Sequence, residues 1–139
     1  MSLRRSTTIC TARAFNSSGY RLDDFDPTCP SFPTDELSGH AGVDQDRGDG
    51  LAGVAYWMLP AARGRGLCTT AVKVVCRWAF EEAGFHRIEV DHSTRNEASC
   101  RVAMKSGFRE EGIRRSAALH VDGWHDMHVH ALLATDERP

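Results

Sequence analysis

The most regular patterning in the chain lies between Leu51 and Leu133. Leu51 to Leu59 (L-A-G-V-A-Y-W-M-L) is apolar and rich in strand-forming residues, and Pro60 stops its ladder. From Leu67 to Ala83 the period changes. Apolar residues fall at Leu67, Ala71, Val74, Val75 and Trp78, with Thr70, Lys73, Arg77 and Glu81 as the polar stripe. That spacing predicts a helix, and Gly84 stands where a glycine would end it. Phe85 to Val90 predicts a short strand. Asn96 is a favourable N-cap for a second helix, with Glu97 in its first turn, Lys105 in its last and Gly107 just beyond. The chain is extended from Phe108. Val121-Asp122-Gly123-Trp124 signals a hairpin turn. The closing strand alternates, with His125, Met127, Val129, Ala131 and Leu133 on one face and Trp124, Asp126, His128, His130 and Leu132 on the other.

Upstream the pattern weakens. Leu37 to Val43 reads as a strand interrupted by Gly39 and Gly42, and Asp44 to Gly50 as the turn after it. Residues 1–34 show little periodicity: Asp23, Asp24 and Asp26 cluster, and Pro27, Pro30 and Pro33 break any helix. The reading is an irregular or partly disordered segment over 1–34 and one folded domain over 35–139. Its element order is β-β-β-α-β-α-β-β, an α/β (α+β) architecture with a mixed central sheet, flanking helices and a closing antiparallel hairpin. No internal repeat is visible.

Composition narrows the function classes. A chain of 139 residues suits one core. A net charge of −2 argues against a general nucleic-acid binder, and no apolar run has the length of a membrane span. The five cysteines (Cys10, Cys29, Cys68, Cys76, Cys100) are odd in number and form no C-x-x-C pair. They read as reduced thiols in a cytoplasmic protein rather than as a disulfide framework or zinc ribbon. The basic, Ser/Thr-rich start resembles a transit peptide in composition but reads as a tail. The Arg4-Arg5 pair lacks the apolar run of a twin-arginine signal.

The candidate chemistry sits between the two best-defined elements. Arg63-Gly64-Arg65-Gly66 follows a strand and opens a helix, whose N-terminal N–H groups and partial positive charge favour an anion. A P-loop is excluded because its lysine is missing. A dinucleotide-binding turn would need a third glycine where Thr69 stands, with Glu89 or Asp91 as the ribose-binding acid, and only one full βαβ unit is present. Y-W-M-L-P-A-A-R-G-R-G-L-C-T-T-A-V resembles the acetyl-CoA signature of the GNAT N-acetyltransferase superfamily. Four further stretches in the same order resemble its RimJ/RimL branch: A-F-E-E-A-G-F-H-R-I-E, N-E-A-S-C-R-V-A-M-K-S-G-F-R-E-E-G, V-D-G-W-H-D and the closing strand. The likeness covers roughly residues 36–139.

The resemblance implies an acetyl-CoA-dependent N-acetyltransferase, with acetyl-CoA as cosubstrate and an amine acceptor, either a protein N-terminus or a small molecule. It implies a strand splayed from its neighbour, with pantetheine along Met58 and Leu59. The pyrophosphate would lie on the N–H groups of Arg65 to Thr69, the cofactor-binding residues of this turn being Arg63, Gly64, Arg65, Gly66, Cys68 and Thr69, with Asn96 near the pantetheine or thioester. Cys68 departs from the usual Gly or Ala, and a reactive thiol is its other reading. Asn96 and Ser99 are the implied catalytic residues: Asn96 is also sufficient as a plain N-cap, and Ser99 is either the donor to the leaving thiolate or a first-turn backbone partner. For the base, Glu89, Asp91, Asp126 and His125 are candidates, His125 reading also as a satisfied core histidine; the position where some relatives carry an acid is Ala118 here. His128, His130 and Asp126, helped by His120, suggest a metal, but alternate residues of one strand close no tetrahedral shell without a partner strand, so none is expected. Relatives begin with a strand and two helices that wall the acceptor pocket, and residues 1–34 look abbreviated beside them. The alternative function is therefore an acyl-CoA-binding module with weak or no catalysis, completed by a partner or homodimer; open sheet edges favour such pairing.

Overall fold

The computed structural model describes residues 11–16, 19–22 and 39–138. The acidic and proline-rich stretch, Arg4-Arg5, Cys10, Cys29 and the first residues of the strand expected from Leu37 lie outside them. The elements are β1 (Thr11–Asn16), β2 (Gly19–Leu22), β3 (Gly39–Gly48), β4 (Leu51–Met58), a 3-10 turn (Pro60–Ala62), α1 (Leu67–Glu81), β5 (Arg87–Ser93), α2 (Glu97–Lys105), β6 (Arg109–His120) and β7 (Gly123–Leu133). They form one seven-stranded sheet in the order β2-β1-β3-β4-β5-β7-β6. Every neighbouring pair is antiparallel except β4 and β5. The mixed sheet with helices packed on it is the architecture expected.

One side of the sheet carries the core. Ala41 and Val43 of β3, Ala52 and Val54 of β4, Ile88 and Val90 of β5 and Leu132 of β7 alternate with outward residues and meet α1 and α2. From α1, Cys68, Ala71, Val72, Val75, Cys76 and Ala79 are buried; α2 adds Ala103. The buried stripe of α1 is rotated from the predicted one, leaving Leu67, Val74 and Trp78 partly buried at its flank. Small residues face the sheet, so the helix sits close and the larger side chains splay to the margins.

Residues Thr11–Asn16 and Gly19–Leu22 correct the expectation of an irregular 1–34 segment. They pair with each other, and β1 pairs with β3 at Thr11↔Gly42, Ala12↔Ala41 and Arg13↔His40. Their sequences, T-A-R-A-F-N and G-Y-R-L, carry only weak apolar alternation, and their stability comes from strand pairing that no local pattern records. The element order therefore has four strands, not three, before the first helix. β3 also runs past the predicted turn at Asp44. Register shifts between Val43 and Gln45 and between Asp46 and Gly48 absorb its polar residues.

The parallel pair matters most for the site. β4 and β5 align only at Leu51↔Arg87, Ala52↔Ile88 and Gly53↔Glu89. Val54 to Met58 continue against β3 alone, so the β5-facing edge of β4 opens into a gap. This is the splay that the family resemblance implies.

Ile88 is fully buried between α1 and the sheet. Ile88→Ala is expected to cost about 2–5 kcal/mol in urea unfolding. A loss below about 1 kcal/mol would mean that the core is not centred there.

Candidate active site

A cleft of about 710 Å³ opens where β4 leaves β5, bounded by the 63–69 turn and by α2. It is lined by Met58, Arg63, Gly64, Arg65, Gly66, Cys68 and Thr69 on one side and by Asn96 and Ser99 on the other. The structure thus brings together nearly all the residues that the sequence implied as cofactor-binding or catalytic. Leu59 is the exception: it is exposed beyond the end of β4 and outside the lining.

Gly64 and Gly66 have φ of 80° and 72°, in the left-handed region that side chains with a Cβ rarely adopt. A Cβ at either position would meet nothing within 4 Å, so the turn faces open space. Gly66 is the N-cap of α1, with no side-chain cap and no acidic residue in the first turn. By helix geometry the N–H groups of Leu67, Cys68 and Thr69 lack intrahelical acceptors. The result is an uncapped helix N-terminus aimed into a cleft, the arrangement that takes an anion. Arg63 behaves differently from the mobile cation that its sequence suggests. Its Nε and Nη2 donate to the Met58 carbonyl at 3.3 and 3.2 Å, tying the turn to the end of β4.

Cys68 lines the cleft but faces the core. Burial pushes its thiol up from 9.0 to about 11, which outweighs the lowering expected at a helix N-terminus. The small-residue reading therefore fits it and the reactive one does not. Asn96 Oδ1 accepts from the Ser99 backbone N–H at 3.0 Å and caps α2.

Ser99 Oγ lies 2.9 Å from the hydroxyl of Tyr56, which also donates to the Ser99 carbonyl at 2.9 Å. Tyr56 was not singled out from the sequence. The signal was present, because Tyr56 continues the inward row of Ala52 and Val54 into the gap, but its partner on α2 becomes visible only in three dimensions. Burial raises the Tyr56 phenol from 10.0 to about 12, the hydrogen bond to Ser99 opposing that rise. It is therefore a proton donor at neutral pH.

Each candidate base has at least one partner, although Asp91 Oδ1 is buried with none among the described residues. Glu89 pairs with Arg47 and Arg87, and Asp91 with Arg114. Asp126 Oδ1 accepts from the Ser116 N–H at 2.8 Å. His125 is buried, with Nδ1 2.7 Å from Ser93 Oγ and Nε2 2.7 Å from Asp122 Oδ1, so both ring nitrogens are satisfied as in a core histidine. The His128, His130 and Asp126 face, from which no metal site is expected, is also arranged differently. Asp126 is held by β6, and His120 stacks on His125 at 4.1 Å. His92 of β5 and Cys100 of α2 take their places beside His128 and His130.

Residues 10–109 match the acetyltransferase (GNAT) domain family. The chain belongs to that family. It is 40% identical over 84 residues to the "Probable N-acetyltransferase YjcK" of Bacillus subtilis, covering 60% of this chain and 46% of that one. Among solved structures, Mycobacterium smegmatis RimJ in complex with CoA-disulfide superposes with a TM-score of 0.67 at 28% identity, covering 71% of this chain and 48% of that one. A GNAT-family acetyltransferase from Bacillus anthracis gives 0.67 at 26% identity, covering 72% and 60%. The chain spans about half the length of the curated relatives it matches. Among the described residues of this GNAT-family chain, no helix is long and apolar enough to cross a membrane.

Burial of the Cys68 and Cys76 thiols and the Tyr56 phenol is expected to lower stability at alkaline pH. Their raised values favour the neutral forms in the folded chain, so the contribution is complete below about pH 9 and is lost as pH rises through 9 to 12, where the unfolded chain ionises first. Thermal midpoints measured in reductant should fall across that window, and Tyr56→Phe should shallow the fall. A flat profile to about pH 11 would contradict the burial of these groups.

Proposed function

We propose that this chain is an acetyl-CoA-dependent N-acetyltransferase whose cosubstrate lies in the β4–α2 cleft. One observation carries the reading: the splayed edge of β4, the uncapped N-terminus of α1 and the Ser99–Tyr56 pair line a single cleft. Pyrophosphate would rest on the N–H groups of the 65–69 turn, with Arg65, Arg101 and Lys105 adding positive charge around it. Pantetheine would run along Val54 to Met58 and pair with their open backbone edge, which requires Arg63 to release the Met58 carbonyl. The relative crystallised with CoA-disulfide supports this choice of ligand.

The chemistry is direct transfer. A neutral amine nitrogen attacks the thioester carbonyl carbon, and the C–S bond breaks. The amine proton leaves through water. Ser99 Oγ–H donates to the leaving thiolate; its proton is replaced by way of the Tyr56 hydroxyl, which turns from the Ser99 carbonyl and regains a proton from the water that took the amine proton. Asn96 fixes the turn that holds Ser99. The acceptor is a protein N-terminus or a small amine. The free thiols Cys68 and Cys76 in the core suit a reducing, cytoplasmic compartment.

A second reading has a specific observation behind it. Glu89, Asp91, Asp126 and His125 all have partners, which favours a CoA-binding module with weak or no catalysis, completed by a partner chain or a second copy. Release of free thiol from acetyl-CoA with a panel of amines and peptides separates the two. Acceptor-dependent release supports the transferase, whereas tight CoA binding with no release under any acceptor supports the binder.

Two variants test the placement. Gly66→Glu puts charge and bulk at the pyrophosphate position and should abolish CoA binding while the chain stays folded; unchanged affinity would refute the site. Ser99→Ala should lower kcat about a hundredfold or more with little change in KM for acetyl-CoA. An unchanged kcat would remove Ser99 from the mechanism.

A further inference from the structure

The apolar rows beneath α2 end in an unusual group. Along β5 the inward positions are Ile88, Val90 and His92, and along β7 they are Leu132 and His130. His92 and His130 are 5% and 0% exposed, on a face that is otherwise packed mainly with aliphatic residues. β5 and β7 are antiparallel, with His92 directly opposite His128 and Val90 opposite His130. This is the partner strand that the sequence reading lacked. α2 then lowers Cys100 onto the group from above. One ligand atom from each of His92, Cys100, His128 and His130 lies within 4.8 Å of all the others.

The contacts inside the group point to a cation. His92 Nδ1 lies 2.8 Å from the Ser93 carbonyl. The tautomer that donates there leaves a lone pair on Nε2, and His92 Nε2 is 2.9 Å from His130 Nε2. The two nitrogens are held together either by one hydrogen, with His130 donating its Nε2–H, or by a metal between them. A backbone carbonyl orienting the far nitrogen of an imidazole is also the usual support behind a metal-bound histidine. Cys100 Sγ stands 3.9 Å from His130 Nε2. His128 Nε2 lies 3.6 Å from Glu110 Oε1, while its Nδ1 is buried without a partner among the described residues and is the nitrogen open to a ligand; His130 Nδ1 is also without one and stays so when Nε2 binds. In a tetrahedral zinc site, bonds of about 2.0–2.3 Å give ligand–ligand edges of about 3.3–3.7 Å. Two of the six edges are 2.9 and 3.9 Å and all lie within 4.8 Å, so the side chains would adjust by up to about 1 Å to close on the ion.

We infer that His92, Cys100, His128 and His130 form a zinc-class metal site that clamps α2 onto β5 and β7. Three imidazoles and one thiolate are a borderline-soft donor set, suited to Zn²⁺ and unsuited to Mg²⁺ or Ca²⁺. With four protein ligands the site is closed, so its role is structural. Binding converts the Cys100 thiol to thiolate and releases its proton to solvent. Cys100 directly follows Ser99, so the clamp would hold the first turns of α2 against the cleft. The site rests on its own residues and does not depend on the cofactor reading.

The test is cobalt substitution in the full chain after chelator treatment. Co²⁺ alone should give visible bands of tetrahedral intensity and a near-ultraviolet thiolate-to-cobalt band, at one ion per chain. Zn²⁺ should displace it and raise the thermal midpoint. Cys100→Ser, at a half-buried position that should fold, is expected to lose the thiolate band and weaken Zn²⁺ at least about tenfold. His128→Asn should weaken Zn²⁺ similarly and keep the thiolate band. Absence of a tetrahedral cobalt spectrum in the parent chain overturns the proposal, which then leaves a proton shared by His92 and His130. A thiolate band unchanged in Cys100→Ser also overturns it. Should Cys100→Ser fail to fold, His128→Asn and the parent spectrum decide.

Discussion

The structure depends on where β4 and β5 stop pairing. Three residue pairs hold the two strands parallel, and the register ends at Gly53↔Glu89. Full pairing would satisfy the β4 edge and close the cleft; no pairing would cut the sheet in two. Stopping at Gly53 keeps the sheet continuous and leaves the β5-facing backbone edge of Val54 to Met58 without a strand partner, the Met58 carbonyl being held by Arg63. The same divergence aims the end of β4 at the 63–69 turn, so the open strand edge and the open helix N-terminus border one space. Each is an unmet hydrogen-bonding demand, and an extended ligand with an anionic end meets both.

The two faces of the sheet share the work of holding this gap. On the helix side, small α1 residues let the helix lie close to Ala52, Val54 and Ile88. On the other side Arg47, Arg87 and Arg114 cross-link Glu89, Asp91 and Glu111 between strands. These pairs are partly exposed and individually weak, but they join into a network across β3, β5 and β6. The network explains why acids placed centrally on the sheet are not free to act as bases. It also leaves the polar business of the helix side to Tyr56, Ser99 and the histidine group.

The parts of the fold legible in the sequence were those with repeating periods. α1, α2 and β7 each carry enough turns or alternations to be read, and the Asn96 cap is as expected. The 63–69 turn was legible because glycines at a strand-to-helix junction have a backbone reason to be there. β1 and β2 were not, since strands this short owe their existence to the neighbours they pair with. Tyr56 and the partners of His128 and His130 were hidden for a related reason. Tyr56 meets Ser99 across 43 positions, and His92 meets His130 across 38. Contacts of that span are set by register, which no local pattern specifies.

The central claim is that a CoA-type ligand occupies the β4 edge and the α1 N-terminus together. Amide hydrogen exchange with and without acetyl-CoA tests it most directly, because the groups proposed to bind are backbone N–H groups. The account predicts slowed exchange in two separate segments, Val54–Met58 and Arg65–Thr69, with the far strands β6 and β7 unchanged. Protection confined to other elements, or no protection at saturating acetyl-CoA, would contradict it.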